Sequence, residues 1–129
     1  MSSYLTFYIT RKDTDDAPLE IMSVSRNSEL YQSLNEYIYN NQASELTTNI
    51  VDFAISDVRT DINKLKNKID EYCNHLPDKL SDRIEMLDSV LALKGYIGDL
   101  EKTLHNLMFI NDIVLNSEAN NTKVIVEIS

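Results

Sequence analysis

The chain has 129 residues, 12 Lys+Arg against 21 Asp+Glu for a formal charge of −9, and only two Gly and two Pro. This length fits one domain of about 100 to 150 residues, and 43% hydrophobic with 26% charged residues is an ordinary globular balance. All-β folds need many tight turns and phosphate-cradling loops need glycines, so the scarcity of both punctuators disfavours them. The acidic balance disfavours direct nucleic-acid binding and favours a protein partner with a basic surface.

The opening Met1-Ser2-Ser3-Tyr4-Leu5 lacks the basic start and the apolar run of about 7 to 15 residues of a secretory signal. No segment approaches the roughly 18 apolar residues of a membrane span. A single cysteine, Cys73, suits a reducing compartment. The expected setting is cytoplasmic, with no membrane association.

Tyr4 to Thr10 alternates, with Leu5, Phe7 and Ile9 on one side and Tyr4, Thr6, Tyr8 and Thr10 on the other, the period of a β-strand. After a polar loop with Asp13, Asp15 and Asp16, Leu19 to Val24 is apolar again, so the two runs predict a hairpin. Asn27 or Ser28 caps a short helix carrying Leu30, Leu34, Tyr37 and Ile38 on one face, and Asn40 to Ser44 ends it.

Val51, Ile55, Val58, Ile62, Leu65, Ile69, Tyr72 and Leu76 then follow at alternating spacings of 4 and 3, a heptad seam within a mixed-charge exterior. Pro77 breaks that helix and predicts a tight turn. A second seam, Met86, Val90, Leu93, Ile97, Leu100, Leu104 and Leu107, mirrors the first. Helices of about 32 to 38 residues at 1.5 Å per residue predict an elongated hairpin on the order of 50 Å. Gly95 and Gly98 lie inside the second helix, where the close approach of another backbone would compensate for their cost. From Leu107 to Leu115 apolar residues point in most directions, which predicts burial all round. Thr122 to Ile128 alternates and predicts a closing strand that joins the hairpin.

The expected architecture is α+β: a small antiparallel sheet made of the N-terminal hairpin and the C-terminal strand, a short helix, and a long antiparallel coiled-coil-like helical hairpin. It forms a single domain over 1–129, with a base of 1–43 and 107–129 and a hairpin of 44–115 that overlaps the base.

No residue pattern carries a catalytic signature. His75 and His105 fall at opposite ends of the hairpin, Cys73 and His75 lack the further ligands of a zinc site, and the Asp13–Asp16 loop lacks the glycine and distal glutamate of a calcium loop. No catalytic residue, metal or cofactor is expected. Lys64, Lys66 and Lys68 are read as salt-bridging to Asp82 or Glu85 across the hairpin.

Two patches remain as interaction candidates. Tyr4 and Tyr8 occupy the strand face opposite Leu5, Phe7 and Ile9, and that face is either open or covered by helices on both sides of the sheet. Leu80, Ile84, Leu87 and Leu91 form an apolar row beside the second seam, available to a third helix or a partner subunit. A short, acidic, Asn-rich chain without an enzyme motif resembles small accessory proteins of phages and mobile elements in composition. No family is recognised in it, and an inhibitor, antitoxin, immunity or anti-defence role fits the interaction-module reading that follows. The leading expectation is a non-enzymatic protein-interaction module, self-associating with a dimer favoured, whose carboxylates in one version mimic a nucleic-acid backbone. The alternatives are a self-assembling scaffold built on the helical hairpin and a small-ligand-binding domain.

Overall fold

The computed structural model describes residues 4–40 and 45–128, without the side chains of Tyr39 and Asn40. The elements in chain order are β1 (Tyr4–Arg11), β2 (Leu19–Ser25), α1 (Glu29–Asn40), β3 (Glu45–Leu46), α2 (Thr48–Asn74), α3 (Leu80–Ala119) and β4 (Thr122–Ile128). The expected α+β architecture is present. Its sheet gains β3, a two-residue strand too short to leave an alternation in the sequence, and the remainder of the 41–44 segment expected to end α1 lies outside the described residues.

The described strands form one antiparallel sheet in the order β2-β1-β4-β3. β1 pairs with β2 from Tyr4↔Ser25 to Ile9↔Leu19, with Ile21 left unmatched between Phe7↔Met22 and Tyr8↔Glu20, a one-residue bulge. β4 runs along the other side of β1, from Leu5↔Ile128 to Arg11↔Thr122. The period-2 alternation of β1 and β4 therefore has a direct result: Leu5, Phe7, Val124 and Val126 fall on one face and are buried under the helices.

Local signals set the helix ends. The Ser28 hydroxyl accepts from the Tyr31 N–H at 3.1 Å and donates to the Ser25 carbonyl at 2.8 Å, which caps α1. Thr47 caps α2 through the Ile50 N–H at 3.5 Å. α2 stops at Asn74, ahead of Pro77, and Arg83 Nε donates to the Pro77 carbonyl at 2.6 Å to hold the turn. Beyond α3, Asn121 adopts a left-handed φ of 55°, a conformation asparagine tolerates, and leads into β4.

α2 and α3 pack along the expected seams, but unequally. α2 has 27 residues and α3 has 40, so both depart from the expected length. The first seam ends at Tyr72, because Leu76 lies beyond the helix in the turn and is exposed. Burial is deep at Val51, Ile55, Val58 and Ile62, where α1 and the sheet add a further wall, and only partial at Leu65, Ile69 and Tyr72, where two helices face each other alone.

Three further expectations are corrected. The end of α3 is not buried all round: Leu107, Ile110 and Val114 are buried, whereas Met108, Phe109 and Leu115 are exposed, since the core covers only one side of this helix. Among the described residues no neighbouring element comes within 4 Å of where a Cβ would stand at Gly95 or Gly98, so the expected close approach of another backbone is not found there. Among the described residues the ion pair across the hairpin joins Lys66 to Glu101 at 4.0 Å, not a lysine to Asp82 or Glu85.

Candidate functional site

The outward side of α3 is the largest candidate surface. Leu80 is 74% exposed, and Ile84, Leu87 and Leu91 are 55%, 55% and 57% exposed. α1 packs near the base of the hairpin, and no described element covers this row. The apolar row ends at Leu91, and beyond exposed Lys94, Glu101 and His105 a second exposed apolar group, Met108, Phe109 and Leu115, follows farther along the helix. Large apolar side chains grouped in water in this way mark interaction sites.

The expected tyrosine patch is open on one side. Leu5 and Phe7 belong to the one core shared with all three helices, whereas on the opposite face Thr6 is buried between Tyr4 and Tyr8 and only Tyr4 is exposed. Tyr4 is exposed, and Tyr8 is half-buried beside Ile125, its cross-strand neighbour on β4. Thr6 and Ser23 share a side-chain hydrogen bond of 3.1 Å on the same face.

A third surface was not singled out from the sequence. α1, α2 and α3 enclose a cleft of about 230 Å³ whose rim carries Glu29, Glu36, Asp57 and Asp61 with the phenols of Tyr37 and Tyr96, over a floor of Ala54, Val58 and Leu100. No lysine or arginine lines it. Tyr37 donates its hydroxyl to Asp57, and that hydrogen bond, followed by burial and by the charges of Asp57 and Glu36, pushes its pKa up to about 12. Burial, then the charges of Glu29 and Asp61, raises Tyr96. The cleft is electrically prepared for positive charge. Helical spacing held part of this signal, with Glu29 and Glu36 seven apart on α1 and Asp57 and Asp61 four apart on α2.

The residues weighed for chemistry stay apart. Cys73 is an exposed free thiol and His75 is the exposed residue that ends α2 at the tip. His105 is exposed farther along α3, beside Arg59, Lys66 and Glu101. Asp13 accepts from Asn121, and Asp16 lies 4.0 Å from Arg11. Among the described residues no group of three or more His, Cys, Asp and Glu has a metal-holding arrangement, and no helix is long and apolar enough to cross a membrane.

Comparison with protein-family models, with curated proteins and with solved structures found no match. The surfaces themselves therefore carry the functional argument.

Proposed function

We propose that this protein is a non-enzymatic protein-interaction module that docks on another protein and modulates it, as a small acidic inhibitor, antitoxin, immunity or anti-defence protein does. The observation that carries this reading is the apolar outward side of α3, anchored by Leu80, Ile84, Leu87 and Leu91. Burying that row removes apolar area at about 25 cal/mol per Å², a driving force the monomer leaves unused. The formal charge of −9 and the acidic cleft favour a partner with basic segments, and the open Tyr4 and Tyr8 face supplies aromatic contact area. A single exposed thiol fits a reducing, cytoplasmic setting.

The scaffold alternative draws on the same α3 surface, and the open space at Gly95 and Gly98 favours it, because a second helix can come close there.

The test is affinity capture from host lysate, nuclease-treated, comparing the tagged protein with its Ile84→Asp and Leu87→Asp variants. The expected result is one near-stoichiometric protein, an untagged copy of the chain or another, that both variants lose. Its release by high salt would mark carboxylate-driven binding, and its retention would mark apolar docking. An identical set of captured proteins for all three baits would overturn the assignment of α3 as the docking surface.

A further inference from the structure

We propose that the occupant of the α3 surface is a second copy of this chain, laid antiparallel across a two-fold axis at the level of Gly95 and Gly98. This rests on the interaction reading above, takes its self-associating form, and leaves the acidic cleft and the exposed Tyr4 to any other protein.

One stripe of side chains winds slowly round α3, drifting about 20° per heptad. Leu80, Leu87, Lys94, Glu101, Met108 and Leu115 recur every seven residues along α3, and all six are exposed. In chain order their chemistry is apolar, apolar, cationic, anionic, apolar, apolar. Read from the other end, the apolar and charged positions coincide and the two charges exchange sign. A surface of that kind is complementary to itself when turned end for end, which is the condition a two-fold interface imposes.

One axis satisfies all three pairings. It sets Lys94 opposite the partner's Glu101, Leu87 opposite the partner's Met108, and Leu80 opposite the partner's Leu115. Because the axis is two-fold, each pairing occurs twice. A parallel arrangement in the same register would instead set Lys94 against Lys94 and Glu101 against Glu101, and like charges directly opposed disfavour it.

The glycines supply a second, independent indication. Gly95 and Gly98 lie at the level where the axis crosses, Gly98 about 50° and Gly95 about 110° round the helix from the Lys94–Glu101 line, and among the described residues a Cβ on either would meet nothing within 4 Å. A helix interior gains nothing from glycine unless another backbone comes close, and the second copy provides that backbone. Glu101 also reaches Lys66 of α2 in the same chain, through an exposed pair at 4.0 Å that contributes little and leaves the carboxylate accessible.

Sedimentation velocity and light scattering on the full chain decide the matter, with circular dichroism confirming that each variant is folded. The wild type is expected at twice 14.8 kDa. Leu87→Asp is expected at the monomer mass. Lys94→Glu and Glu101→Lys are each expected to weaken the dimer by about tenfold or more, and the double exchange to restore it, since two attractions replace two repulsions. In a Cys73→Ser background, Leu87→Cys with Met108→Cys is expected to form an interchain disulfide that neither single cysteine forms at the same yield.

A folded wild type that stays monomeric at high concentration overturns the second copy. If it nevertheless captures a different protein through Ile84 and Leu87, the interaction reading survives without the dimer; if it captures nothing, both fall. A dimer insensitive to Leu87→Asp and to both charge reversals also overturns the proposed interface.

Discussion

The ring of Tyr37 on α1 stacks on Phe53 of α2, with centroids 6.0 Å apart and planes 13° from parallel, while its hydroxyl donates to Asp57 one helical turn further along α2. One side chain thus ties the short helix to the hairpin through an apolar and a polar contact at once. Replacing Phe53 with Ala removes a stacked aromatic pair of about 0.5 to 1.5 kcal/mol, and chemical denaturation is expected to show a loss in that range.

The polar half of that tie has a pH signature. The Tyr37 pKa is raised from its ordinary 10.0 to about 12, so the folded state holds the phenolic proton more tightly than the unfolded chain. The associated stability is fully present below pH 10 and is lost as pH rises towards 12. Alkaline absorbance titration is expected to show a last tyrosine ionising near 12, and Asp57→Ala to return it towards the ordinary value. An unchanged final titration step in that variant would refute the assigned cause.

Ser28 closes the N-terminus of α1 with two hydrogen bonds of 2.8 and 3.1 Å. Ser28→Ala is expected to cost about 1 kcal/mol in urea unfolding, the usual worth of such a cap. Ser28→Asp, which keeps an acceptor and adds a charge favourable to the helix start, is expected to recover most of it.

Leu107 and Leu87 sit on the same helix and differ in surroundings: Leu107 is completely buried in the core, whereas Leu87 faces water. Leu107→Ala is expected to destabilise the fold by about 2 to 5 kcal/mol, through lost burial and the cavity left behind. Leu87→Ala is expected to leave monomer unfolding within about 0.5 kcal/mol of wild type. Equal losses would contradict the assignment of one as core and the other as surface.

Gly95→Ala and Gly98→Ala each enter open space in the single chain. In a monomeric background such as Leu87→Asp, each is expected to raise stability by about 1 kcal/mol, since alanine favours the helix and meets nothing. A loss of stability there would reveal an intramolecular neighbour of α3 at that point.

The elements whose burial depends on their own period were legible in the sequence. The alternation of Leu5, Phe7 and Ile9 and the heptads from Val51 and from Met86 required only a covered side, and both strands and helices formed where expected. Phe109 was read wrongly for a physical reason: an apolar residue on the second face of a helix is buried only if another element arrives, and in one chain none does. The cleft was hidden for a related reason. Glu29 with Glu36, and Asp57 with Asp61, announce a shared face on their own helices, but their convergence depends on α1 docking across α2, which no local pattern records. The openness of Tyr4 was likewise a question of which side of the sheet the helices chose.

β1 and β4 are central neighbours in the sheet, and Leu5 pairs with Ile128, so one flank of β1 is filled by its near neighbour β2 and the other by the distant β4. The helical hairpin is built on contacts close in sequence, whereas pairing β1 with β4 must close the long loop that runs from Arg11 to Thr122. Until β4 docks, β1 has only β2 on one flank, and its other edge stays bare. β4 therefore acts as a latch on the sheet, and its removal would leave an open, adhesive edge in the middle of the base.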